Sequence, residues 1–170
     1  MKQLIFLSMI AVGLIFINIG CDKDEVPELT ERNIPQAVIK GKVFANLNVS
    51  SGFSGYESAP SGTKIMAQVW TGDLMPGVEE GEEDGFVHTY KNYETTVDGS
   101  GEYSISVDAT TDGLTVRVIC DDFEYDQIQG IHPIDSTQLA PIRRVYRVSD
   151  FEVAVVAGKT SIRDIYYSEF

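Results

Sequence analysis

Between Ala37 and Tyr167 segment after segment places apolar residues at every second position, and that period admits strands and excludes helices as the dominant element. Ile39, Gly41, Val43 and Ala45 alternate with Val38, Lys40, Lys42 and Phe44. Ile65, Ala67 and Val69 alternate in the same way with Met66, Gln68 and Trp70. Successive side chains of a strand point to opposite faces, so each segment offers one apolar face to a core and one face to water. The same pattern predicts strands over 86–97, 102–107, 114–120, 142–148, 151–157 and 161–167. Between them lie Ser61-Gly62, Asp98-Gly99-Ser100-Gly101, Asp112-Gly113, Ser149-Asp150 and Gly158-Lys159, residues that tolerate positive φ or bond their own backbone. Seven or eight short strands punctuated in this way predict a single all-β antiparallel sandwich over residues 37–170.

The chain has 170 residues, 43% of them hydrophobic, enough for one substantial core. Its formal net charge is −13, so its field repels phosphate backbones. Nucleic acid is therefore excluded as an expected partner, whereas divalent cations, basic proteins and neutral glycans remain compatible with that charge.

The first twenty residues have a different character. Lys2 precedes an apolar run from Leu4 to Ile19 that ends in Gly20-Cys21, followed at once by Asp22-Lys23-Asp24-Glu25. The run is shorter than the roughly 20 residues a membrane-spanning helix needs, and it reads as a secretory signal peptide, residues 1–20. A small residue before a cysteine that closes such a segment resembles the lipobox of bacterial lipoproteins, although Asn18 stands where that motif prefers leucine. The resemblance implies that Cys21 is acylated and becomes the first residue of the mature protein. The acidic cluster behind it resembles the signal that directs some lipoproteins to the outer face of the outer membrane. Residues 21–36 include Pro27 and Pro35 among Asp, Glu, Lys and Thr, and read as a flexible tether.

The order of motifs in the remainder resembles the carboxypeptidase regulatory-like and transthyretin-like β-sandwiches, and the B-type repeats of collagen adhesins. The residues that carry it are Ile39-Lys-Gly41-Lys-Val43, Pro60-Ser-Gly62-Thr-Lys-Ile65, the stretch from Thr96 through Asp98-Gly-Ser-Gly101 to Tyr103 and Ile105, and Ala157-Gly158-Lys-Thr160 before Ile162 and Ile165. The resemblance implies a seven-stranded Greek-key fold that is non-catalytic and serves as spacer, stalk or binding module. A hydrolase of hydroxyisourate belongs to the transthyretin-like branch and ends in Tyr-Arg-Gly-Ser; this chain ends Tyr167-Ser168-Glu169-Phe170, so that activity is not carried over. Some adhesin modules join a first-strand lysine to a last-strand carboxyl through an isopeptide bond assisted by a buried acid. Here the matching positions are Lys40 or Lys42, Asp164 and Glu94.

Residue supply argues against an enzyme. His88 and His132 are the only histidines, and neither lies in a metal-ligand or nucleophile motif. Once Cys21 carries lipid, Cys120 has no partner for a disulfide, and its parity with Leu114, Val116 and Val118 makes it a core thiol. No resident cofactor is expected. Calcium is the one metal the pattern allows, since it takes six to eight oxygens. The acidic stretches are Glu79 to Asp84 and the trio Asp122, Glu124 and Asp126, with the alternatives of a solvated loop and a strand-end loop. Trp70, Tyr90, Tyr93, Tyr166 and Tyr167 supply rings for a saccharide-stacking platform, or else for the core. Arg143, Arg144 and Arg147 read as cross-strand partners for acidic neighbours. The combined expectation is a surface-facing, lipid-anchored, non-catalytic envelope module that binds envelope proteins or glycans, the alternative being a small hydrolase or an isopeptide-forming module.

Overall fold

The computed structural model describes residues 34–50, 55–75, 87–132 and 134–170. The expected signal peptide, Cys21, most of the expected tether and the Glu79 to Asp84 stretch lie outside the described residues. Within them the chain is an all-β sandwich of two sheets.

The first sheet is organised around strand β1 (Gln36–Ala45). On one side β1 pairs antiparallel with β5 (Glu102–Asp108) and, beyond it, with the short β2 (Glu57–Ser58). On the other side it pairs in parallel with β10 (Thr160–Ile162) at Val38–Lys40 and with β11 (Ile165–Glu169) at Val43–Ala45. β11 continues antiparallel to β8 (Ile142–Arg147), and β8 to β7 (Phe123–Gln127). The second sheet has the order β4 (Tyr90–Thr96), β3 (Lys64–Trp70), β6 (Leu114–Cys120) and β9 (Phe151–Val155), all antiparallel. One helical turn, α1 (Thr71–Leu74), follows β3.

Two expectations are corrected here. Among the described residues there are eleven strands rather than seven or eight, because β2 and β7 join the first sheet and the last segment divides into β10 and β11. The first sheet is also mixed rather than antiparallel, because no tight hairpin links β1 to the C-terminal strands and alternation carries no information about direction.

The inner faces carry the alternating residues read from the sequence. Ile39, Val43 and Ala45 of β1, Ile105 and Val107 of β5 and Ile165 and Tyr167 of β11 meet Ile65, Ala67 and Val69 of β3, Val116 and Val118 of β6 and Val153 and Val155 of β9. The largest buried rings are anchored at their polar ends, since Tyr146 donates to the Asn46 carbonyl and Tyr167 to that of Asp121, both at 2.8 Å.

The C-terminal segment leaves the ladder between β10 and β11, and three hydrogen bonds hold it there, two with β1 and one from Tyr103 of β5. Arg163 N donates to Lys40 O at 2.9 Å, Lys42 N donates to Asp164 Oδ1 at 2.8 Å, and the Tyr103 hydroxyl donates to Arg163 O at 2.8 Å. The carbonyl of Arg163 approaches β1 so closely that a Cβ on Gly41 would lie 2.1 Å from it. Glycine is required at that position by space. A second tie joins the two sheets at their edge, where Lys91 of β4 reaches the buried Asp108 at the end of β5, 2.6 Å away.

Gly41→Ala should therefore destabilise the domain by about 2–3 kcal/mol, the range for forced overpacking. Tyr103→Phe, which removes only the hydroxyl, should cost about 1 kcal/mol. Urea unfolding followed by circular dichroism checks both, and equal effects from the two substitutions would contradict the close approach as described.

Candidate functional site

The outer face of the four-stranded sheet carries the site. The register of β3 against β4 sets Trp70 opposite Tyr90 and Gln68 opposite Asn92. β6 then places Arg117 opposite Gln68, and β9 places Glu152 opposite Arg117. The consequence is a polar row, Asn92, Gln68, Arg117 and Glu152, running across all four strands beside the ring pair Trp70 and Tyr90. The rings lie 5.0 Å apart, tilted by 56°. Tyr90 is 51% exposed and Trp70 half-buried. Trp70, Tyr90, Gln68, Arg117 and Glu152, with Asp73 of α1 and Thr115 of β6, line an open cleft of about 370 Å³.

The loop ends hold the indole in place. Thr71 N donates to Thr89 O and Thr89 N to Thr71 Oγ1, each at 2.9 Å, which closes the chain after β3 onto the entry to β4. His88 Nδ1 lies 3.4 Å from Thr71 Oγ1, and its ring packs 5.9 Å from that of Trp70. Gly72 packs on the indole edge, where a Cβ would sit 2.6 Å from Nε1. In the polar row Gln68 Nε2 donates to Asn92 Oδ1 at 3.1 Å, and the Arg117 guanidinium pairs with Asp150 at 2.5 Å. Asp73 and Glu152 add two exposed carboxylates. The cleft thus combines aromatic surface, hydrogen-bond donors and acceptors, and a net negative charge.

Of the five aromatics singled out in the sequence, Trp70 and Tyr90 share this cleft and the others do not. Tyr93 lies opposite Ala67 on the inward pleat of β4, packs against the core, and has the Lys91 ammonium 5.5 Å from its ring centre. Burial pushes its phenol up. Tyr167 is wholly buried, and Tyr166 sits on the outer face of the other sheet, stacked on Phe44 with Tyr56 edge-on. Sequence reasoning missed Gln68, Asp73, Asn92, Thr115, Arg117 and Glu152; no local motif marks them, because cross-strand register brings them together.

The acidic trio is engaged in ion pairs. Glu124 and Asp126 occupy one face of β7, with Asp122 immediately before the strand, and strand geometry separates alternate side chains by about 7 Å. Arg147 pairs with Asp122 at 2.6 Å, and Arg143 pairs with Glu124 at 3.1 Å and Asp126 at 3.2 Å. The trio is one side of a cross-strand ion-pair ladder rather than a convergent oxygen cage. Among the described residues no three acidic, histidine or cysteine side chains are grouped as metal ligands.

Of the isopeptide positions, Lys40, Lys42 and Asp164 lie together and Glu94 lies apart from them. Lys40, Lys42 and Asp164 are exposed on the first sheet, Asp164 Oδ1 accepts from the Lys42 backbone, and Glu94 is exposed on the second sheet. No dry pocket gathers an amine, a carboxyl and a neutral acid at these positions. The histidines are also in different places, His88 beside Trp70 and His132 in a loop, with Nδ1 3.1 Å from Asp135.

A scan against models of known protein families matches none, and no curated protein matches the chain.

Cys120 is buried at the end of β6, and burial pushes its thiol up from 9.0 to about 12. In a Cys21→Ser chain at pH 8, Cys120 should react with a thiol reagent about a thousandfold more slowly folded than in urea, following its thiolate fraction. The unfolded thiol ionises near 9.0 and the folded one near 12, so this group's contribution to stability is complete below pH 9 and is lost as pH rises towards 12. Rapid native labelling at pH 8 would contradict the buried position.

Proposed function

We propose that this chain is a lipid-anchored module of the bacterial outer envelope that binds a ligand in the Trp70 cleft and does not itself catalyse a reaction. The observation that carries the reading is the ring pair Trp70 and Tyr90, held open on a sheet face beside a continuous polar row. A ring half open to water costs hydration free energy that a solely structural face avoids, and a few convergent polar groups around it are what a binding site needs.

The anchor is supported by the apolar run, Gly20-Cys21 and the acidic residues behind them. At about 0.8 kcal/mol per buried methylene, two or more acyl chains at Cys21 would hold the domain at a membrane throughout its working life. The acidic cluster after Cys21 supports the outer membrane, with the domain facing the cell surface, as its destination. Residues 22–36 would then carry the sandwich clear of the lipid headgroups. The excess of acidic over basic residues keeps the domain off anionic lipid.

The test is fractionation combined with intact mass. Native protein should sediment with membranes and carry acyl mass on a chain that starts at Cys21, and Cys21→Ser should move it to the soluble fraction. A native chain without lipid, or a Cys21→Ser chain that stays with the membrane, would overturn the anchor.

A further inference from the structure

The chemistry of the Trp70 cleft discriminates among ligand classes, and this inference rests on reading the cleft as a ligand site. We propose that its ligand is a neutral saccharide, one pyranose ring lying on the Trp70 and Tyr90 rings and its hydroxyls bonded by the polar row.

Three observations carry the choice. First, the lining contains both donors and acceptors. Arg117 and Thr115 donate, while Asp73, Glu152 and the Gln68 carbonyl accept. Gln68 Nε2 is committed to Asn92 Oδ1, next in the row, an arrangement that turns the Gln68 carbonyl to a ligand. A hydroxyl both gives and takes a hydrogen bond, so a polyol uses the whole set. An ammonium ligand only donates and would leave Arg117 opposed to it. Second, the charge balance rejects anions. Arg117 is paired with Asp150, so Asp73 and Glu152 dominate the cleft, on a chain of net charge −13. Phosphate, sulfate and uronate groups would meet repulsion there. Third, the rings lie beside a polar row instead of inside an apolar hollow. A pyranose presents C–H bonds to a ring face and hydroxyls around its edge, which matches an aromatic pair flanked by a polar row. A purely apolar ligand would strip water from Asp73, Glu152 and Arg117 without replacing their hydrogen bonds.

Trp70 is the only tryptophan in the chain, so its fluorescence reports on this cleft alone. Purified full-length protein in a non-glycosidic detergent would be titrated with neutral gluco-, galacto- and manno-hexasaccharides, with an oligouronate of equal length, and with spermidine. At least one neutral oligosaccharide should shift the emission saturably, and the oligouronate should bind at least tenfold more weakly at low salt, with the gap narrowing as salt rises. Tyr90→Ala, an exposed position that leaves the fold intact by circular dichroism, should weaken saccharide binding at least tenfold. Trp70→Phe should weaken it less than Trp70→Ala, both read by calorimetry. A response to spermidine without one to any neutral saccharide would overturn the ligand class and leave the cleft standing as a binding site. Silence to every probe, or saccharide binding indifferent to both ring substitutions, would overturn the proposal at this cleft while leaving membrane anchoring through Cys21 untouched.

Discussion

The close approach of the Arg163 carbonyl to Gly41 is the contact on which the first sheet depends. A strand near the start of the domain and two from its end become neighbours there, and the loop between them is closed by one crossing. β1 holds the C-terminal segment through Lys40 O and Lys42 N, β5 adds the Tyr103 hydroxyl, and β11 in turn carries β8 and β7. A side chain at position 41 would push the segment away and with it half of the sheet. The Gly41 contact therefore also underlies the inner face against which the four-stranded sheet packs.

That packing frees the outer face of the second sheet for the proposed binding. Its inward residues are committed to the core, so the outward residues of β3, β4, β6 and β9 can be selected by what they meet in water. They form two kinds of surface side by side, an aromatic pair at the α1 end and a polar row across the middle. The ladder on the other sheet shows the contrast. There Asp122, Glu124 and Asp126 are taken up by Arg143 and Arg147, and the outward face is self-satisfied. Around Trp70, Asp73 and Glu152 stand without such a ladder against them.

Strand positions were legible wherever one face is buried. Leu114–Cys120 follows from the parity of Val116, Val118 and Cys120, and β1, β3, β5, β8 and β9 were read to within about two residues. The last segment was read as a single strand because parity is unbroken through Arg163 and Asp164, and the excursion toward Gly41 leaves no mark in the alternation. β7 was missed as a ladder strand because Glu124 and Asp126 look like loop or metal residues until the arginines of β8 are opposite them. The site was half legible. Tyr90 and Tyr93 are three positions apart on one strand, an odd number, and the parity that found the core already places them on opposite faces. The pairing of Trp70 with Tyr90 was not legible, since the register across residues 71–89 depends on contacts far apart in sequence.

The most direct measurement is an amide chemical-shift map of the folded chain with and without a saturating neutral oligosaccharide. Perturbed amides confined to Gln68–Trp70, Tyr90–Asn92, Thr115–Arg117 and Glu152, with the amides of β1, β11 and β8 unchanged, are what the account predicts. Perturbation centred on Tyr56, Phe44 and Tyr166, across the sandwich, would contradict it.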